Sequence, residues 1–332
     1  MKAVTIVEPG RIEVETLPDP TPAEGQVVVK VAGCGICGTD LHILHGGFAP
    51  SLPLVPGHEF AGEVVAVGTG VTEPAVGDHV AVDPSLHCGE CHFCLRGRGN
   101  LCEKWAAIGV TTTGGAAEFA AVPARNCYRL PPELPLANAA LIEPLSCAVR
   151  GFDVLPRNLG DHYLIYGAGT MGLMMMELSK RAGAASVHVV DLNPDRLSTA
   201  ETLGCSGTAT SADEIDRPRG FEVVVDCTGV PAAIQDGLSR VARAGTFLQF
   251  GVANEDATAT INPFEIYNRE ITITGSMAVL HSFGRAVELF SDGVLDADTL
   301  ISDRFALQDY ATAIDRFERG VGRKIQITPA PS

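Results

Sequence analysis

Short apolar runs rich in β-branched residues open the chain. Val27-Val28-Val29-Lys30-Val31 and Gly62-Glu63-Val64-Val65-Ala66-Val67-Gly68 are bounded by glycine and proline and lack helical periodicity. Strands of this kind, separated by glycine turns, predict a partly open β-barrel. Near Glu133 to Arg150 the character changes. Pro131, Pro132 and Pro135 lead into Leu136 to Leu141, which predicts a helix start. Beyond Asp161 the two periodicities alternate. Leu164 to Tyr166 predicts a buried strand, Met171 to Ala182 a helix, Ser186 to Asp191 a strand and Pro194 to Leu203 a helix. Glu222 to Asp226, Thr246 to Phe250 and Ile271 to Thr274 predict further strands. Alternation of strand and helix predicts an α/β fold with a parallel, doubly wound sheet. Helices over Phe283 to Ser291 and Tyr310 to Arg319, then a strand at Lys324 to Ile327, make a tail expected to return to the first domain. The expected layout is residues 1–146, then 147–279, with 280–332 rejoining the first part.

With 332 residues there is room for two cores. The net charge of −16, from 24 basic and 40 acidic residues, argues against nucleic acid or an anionic membrane surface as partner. The N-terminal run meets Glu8 and Pro9 before an apolar core develops, and Gly172 to Met176 stops at Glu177, too short to span a bilayer. A cytoplasmic protein is expected. Thiols stay reduced in that compartment, so ten cysteines point to metal binding or catalysis.

Gly167-Ala168-Gly169-Thr170-Met171-Gly172 follows a predicted strand and opens a predicted helix, and Asp191 ends the next strand 19 residues past Gly172. Glycines there let the backbone approach a pyrophosphate at the helix N-terminus. A carboxylate at Asp191 would accept from the ribose hydroxyls and repel a 2′-phosphate, which favours NAD over NADP. Arg196 lies close enough in sequence to reach adenine or a phosphate. Thr228 and Gly251 complete the candidate cofactor set.

Cys88, Cys91, Cys94 and Cys102 place four thiolates within fifteen positions, the donor set of a closed structural zinc site. His87 and His92 flank a metal that four thiolates already saturate. A second constellation has the mixed donors of a catalytic zinc, which needs an open position for a substrate oxygen. Cys37 and His58 are its candidate ligands. Glu59 either ligates or stands behind the metal, and Glu143 in Leu141-Ile142-Glu143-Pro144-Leu145 is a further candidate. Thr39 and His42 supply a hydroxyl and an imidazole able to pass a proton. Cys34 and Cys37 form a Cys-x-x-Cys pair with no helix predicted after it, which argues against redox use. Cys127, Cys147, Cys205 and Cys227 read as small core residues.

Taken together, Gly57-His58-Glu59, Gly62, Gly68 and Val71, the cysteine lobe and the glycine turn resemble the zinc-dependent medium-chain dehydrogenases over essentially the whole chain. Glu143-Pro144-Leu145-Ser146 is similar to the sorbitol (polyol) dehydrogenase branch. That resemblance implies a GroES-like catalytic domain, a Rossmann domain, an active site in the cleft between them, and a homodimer or homotetramer. It implies two zinc ions per chain and oxidation of a secondary hydroxyl of a sugar alcohol or related polyol to a ketone with NAD+. Animal sorbitol dehydrogenases carry arginine and tyrosine where Ala278 and Val279 fall here, so a shorter or cyclic polyol stays open. Oxidation of an amino alcohol such as threonine, of an aminocyclitol or of a sugar phosphate is the alternative within enzymes. A non-catalytic structural or binding protein on the same fold is the alternative outside them.

Overall fold

The computed structural model describes residues 1–48 and 50–329. The chain divides into two units, one made of residues 1–146 with 279–332 and the other of residues 147–278.

In the first unit the strand Gln26–Gly35 is the hub of a seven-stranded sheet. It pairs antiparallel with Glu59–Val67 and with Phe119–Pro123, and its last residues pair with the far end of the chain, Gln326 opposite Gly35 and Ile327 opposite Cys34. Val27, Val28 and Val29 are all buried, so this strand is covered on both faces. That is why its β-branched run shows no polar alternation. Tyr310, Ala313 and Ile314 of the helix Tyr310–Glu318 pack into the same core, which ties the tail to the sheet.

In the second unit six strands run parallel in the spatial order Gly207–Ala209, Ser186–Val190, His162–Tyr166, Phe221–Asp226, Val241–Gln249, Thr272–Gly275. Numbered along the chain this is the 3-2-1-4-5-6 order of a Rossmann sheet, with the order reversing beside His162–Tyr166. Leu173, Met174, Met175 and Met176 of the helix Thr170–Arg181 are all fully enclosed, which accounts for the apolar run in that segment.

The structure differs locally from expectation. Leu136 to Leu141 is not yet α-helix; a 3-10 turn, Asn138–Leu141, leads into the helix Ile142–Asp153. Pro144 sits in that helix's first turn, where its missing N–H has no intrahelical partner to lose. The strand expected at Thr246 begins earlier, at Val241. The helix Pro231–Arg240 before it carries Gly237, which lowers its helical propensity. A Cβ at Gly237 would stand 2.9 Å from the Phe247 ring, so packing dictates the glycine.

Candidate active site and metal centres

Pairing of the two central strands builds the mixed-donor site. Gly35 lies opposite Glu59, and a Cβ at Gly35 would overlap the Glu59 carboxylate. Gly57 adopts φ +91°, and a Cβ there would press on Cys34 Sγ and stand 2.8 Å from Ala116 N. Only glycine meets both demands, and it aims His58 and Glu59 inward. Cys37 caps the helix Gly38–Leu44.

Ligand atoms of Cys37, His58 and Glu59 all lie within 4.8 Å of one another, close enough to share one ion. His58 and Glu59 are buried and Cys37 is half-buried. Glu143 does not belong to this group, although it is also buried. Burial pushes its carboxyl up to about 7, against the attraction of His58. Thr39 and His42 occupy one helix face three residues apart, both half-buried. The Cys37 thiol contacts Thr39 Oγ1 at 3.8 Å, and the His42 ring meets Phe48 edge-on at 5.9 Å.

Two buried groups that the sequence reading passed over complete the site. Lys324 Nζ donates to both Glu59 oxygens, at 2.8 and 2.6 Å, and to Ile36 O at 3.0 Å. Burial alone would lower the Lys324 pKa, but attraction to Glu59 outweighs it and the ammonium is held above its ordinary value. Asp40 accepts from Cys37 N at 2.9 Å with one carboxylate oxygen, while the other lies 3.9 Å from His58 Nδ1. Burial raises the Asp40 pKa. A carboxylate behind a ligating imidazole orients the ring and raises its basicity. For His58 itself, burial pulls the pKa down but Cys37 and Asp40 pull it well above the ordinary value. A buried cluster of thiol, imidazole and carboxylates with orphaned ring and carboxylate atoms, His58 Nδ1 and Asp40 Oδ1, fits a divalent cation.

Zinc fits the cysteine lobe on distance. A tetrahedron with Zn–S near 2.3 Å has edges of about 3.8 Å. Cys88–Cys94 and Cys91–Cys102 measure 3.9 Å, and Cys88–Cys102 3.5 Å. Backbone amides of Cys88 and Lys104 donate to Cys102 Sγ at 3.4 and 3.3 Å, the usual partners of a thiolate. His92 contacts Arg96 instead of the cysteines. Cys127, Cys147, Cys205 and Cys227, expected as core residues, are half-buried.

In the second unit, Gly167 (φ +96°) turns the chain out of His162–Tyr166, and its Cβ would stand 3.1 Å from the Thr228 methyl. Gly169 caps the helix Thr170–Arg181 with open space beside its Cα. Asp191 accepts from Ala168 N at 2.6 Å and Asn193 N at 2.8 Å, so its carboxylate is pinned yet keeps acceptor capacity. Gly167, Gly169, Asp191, Arg196 and Thr228 line one cavity of about 650 Å³. Thr170, Met171, Gly172 and Gly251 do not line it. Gly172 and Gly251 instead allow backbone to pass, since a Cβ on either would strike Gly167 O or Gly229 N.

A Rossmann sheet with its glycine turn, joined in one chain to two zinc-type donor sets, defines a zinc-dependent oxidoreductase using a nicotinamide dinucleotide. Residues 23–132 match the alcohol dehydrogenase GroES-like domain and residues 170–292 the zinc-binding dehydrogenase domain. The chain is 36% identical to D-arabinitol dehydrogenase 1 of Uromyces fabae, over 92% of this chain and 90% of that one. It is 37% identical to D-altritol 5-dehydrogenase of Agrobacterium fabrum (strain C58 / ATCC 33970), over 93% and 94%. A zinc-binding dehydrogenase of Sinorhizobium meliloti 1021, solved bound to NADP, superposes with TM-score 0.94 at 33% identity over 99% of both chains. The chain belongs to the zinc-binding alcohol dehydrogenase family.

Proposed function

We propose that this protein oxidises a secondary hydroxyl of a sugar alcohol or related polyol to a ketone, with NAD+ as acceptor. The observation that carries the reading is the convergence of Cys37, His58 and Glu59 within 4.8 Å, backed by Lys324 and Asp40, in a relative of arabinitol and altritol dehydrogenases. When bound, zinc supplies Lewis acidity to a hydroxyl oxygen and the nicotinamide accepts a hydride. Cys37, His58 and Glu59 would hold the metal. Lys324 neutralises Glu59 so that the buried donor set carries less net negative charge, and Glu143 stands behind the site. Thr39 passes the proton released by the hydroxyl towards His42, whose half-exposed ring hands it to water.

Asp191 in the nucleotide cavity supports NAD: a ribose 2′-phosphate would meet its pinned carboxylate. Among the described residues no helix is long and apolar enough to cross a membrane, which is compatible with a cytoplasmic enzyme. A homodimer or homotetramer is part of the same reading. The test is a screen of sugar alcohols, cyclitols, threonine and simple alcohols with NAD+ and NADP+ on zinc-loaded enzyme, followed by NADH fluorescence. Polyols with NAD+ should give the highest kcat/KM. Turnover confined to threonine, or no turnover with any alcohol, would overturn the proposal.

A further inference from the structure

Arginine is concentrated at one place in this acidic chain. Arg217, Arg219, Arg240, Arg243 and Arg269 line a single cavity of about 810 Å³ in the second unit. They are five of only 24 basic residues. The cavity lies at the N-terminal ends of Phe221–Asp226 and Val241–Gln249. The glycine turn and Asp191 that serve the nucleotide follow the C-terminal ends of their strands, and the two cavities have Ala212 in common among their lining residues.

Local backbone geometry assembles the cluster. Gly220 adopts φ +77°, and a Cβ there would stand 2.6 Å from Arg240 O and 2.9 Å from Ala242 N. With glycine the turn Arg217-Pro218-Arg219-Gly220 presses directly on the start of the next strand, which brings the Arg217/Arg219 pair beside Arg240 and Arg243.

Three guanidiniums are fixed. Arg217 donates through Nε to Gly220 O at 2.8 Å, lies over the Phe221 ring at 5.5 Å, and approaches Glu222 at 3.4 Å. Arg240 is shared between Asp213 at 2.6 Å and Asp236 at 2.8 Å. Arg269 reaches Val241 O and Glu265. Four carboxylates, Glu222, Asp213, Asp236 and Glu265, hold these three arginines. Arg219 and Arg243 are exposed and have no ion pair or hydrogen bond from their guanidiniums among the described residues. Two unpaired forks stand beside three oriented ones, and five guanidiniums against four carboxylates leave one net positive charge there, in a chain of net charge −16.

We propose that this cavity is a second anion site, which takes a small oxyanion carrying three or more negative charges. Guanidinium forks match the oxygen spacing of phosphate and carboxylate groups bidentately, and a ligand with several such groups can meet Arg219 and Arg243 together. The volume admits an oligophosphate or a tricarboxylate. The net charge of the chain opposes a nucleic acid strand.

Calorimetric titration of the zinc-loaded enzyme saturated with NAD+, at constant ionic strength, tests the site with tripolyphosphate, ATP and citrate as separate ligands. Saturable binding of tripolyphosphate at one per chain, with NAD+ in place, is the expected result. Citrate binding as tightly would show that charge and fork geometry suffice; ATP binding no tighter than tripolyphosphate would show that the base adds nothing. Because Arg219 and Arg243 are exposed and make no ion pair or guanidinium hydrogen bond among the described residues, the double variant Arg219→Ala/Arg243→Ala should fold, retain kcat and KM for NAD+, and lose about tenfold in affinity for each guanidinium removed. No saturable binding with NAD+ present, unchanged affinity in the double variant, or binding of ATP alone would each overturn the proposal.

Discussion

Replacing Lys324 by methionine strips Glu59 of the ammonium that meets both of its oxygens. Lys324 is 4% exposed and Glu59 2%, so water cannot take over from the lost bonds. Removing one partner of a buried ion pair costs about 3–5 kcal/mol, because the other charge stays buried and unpaired. Over a unit of about 200 residues that corresponds to a fall in Tm of roughly 6–20 °C. Urea unfolding of protein whose Cys37, His58 and Glu59 site has been emptied of metal measures the loss, since a bound ion would itself pair Glu59, and the m-value shows whether the unfolded state has changed. Pairing Lys324→Met with Glu59→Gln removes both charges, so the double variant should be more stable than the sum of the single losses predicts, by about 2 kcal/mol or more. Activity should fall in the single variant, since the Glu59 carboxylate would leave its place beside Cys37 and His58. A loss below about 1 kcal/mol, or strict additivity in the cycle, would refute the argument that Lys324 neutralises a buried carboxylate.

Chelation should unfold the cysteine lobe first, since metal affinity there is folding energy; limited proteolysis should cut between Cys88 and Cys102 in chelated but not in zinc-loaded protein. Asp191→Ala should reduce kcat/KM for NAD+ by about tenfold or more and narrow the gap to NADP+, as measured in parallel kinetics. His188 is held below its ordinary pKa by partial burial and by Arg217. The unfolded chain therefore binds the proton more tightly, and stability should fall as pH drops from about 6.5 through the lowered value. His188→Asn should flatten that slope in denaturation curves taken across this range.

What could be read without coordinates depended on how local each signal is. Four cysteines within one loop carry their geometry in their spacing, and the turn at Gly167 carries its own in the strand before and the helix after. Lys324 is the opposite case. In Lys324-Ile325-Gln326-Ile327 the polar residues alternate with the apolar ones, the pattern of a strand with one wet face. In the structure all four are buried, because Gln326 contacts Ala137 O and Lys324 reaches Glu59, 265 positions away. Nothing near Lys324 in sequence announces that partner. Asp40 was hidden differently: no helix is expected from the sequence after Cys37, yet Gly38–Leu44 is one, so the bond Asp40 accepts from Cys37 N went unread, and its approach to His58 depends on strand pairing far along the chain. Glu143, a candidate ligand from its sequence, is buried and interacts electrostatically with His58 and Glu59, while the close donor group is formed by Cys37, His58 and Glu59.

Cys37, His58 and Glu59 are proposed to hold the ion that activates the substrate. Metal content, NAD+ binding and polyol turnover measured together on His58→Ala test it directly. One zinc per chain in place of two, the remaining ion in the cysteine lobe, undiminished NAD+ affinity and no turnover are expected. Two zinc ions with retained turnover would contradict it.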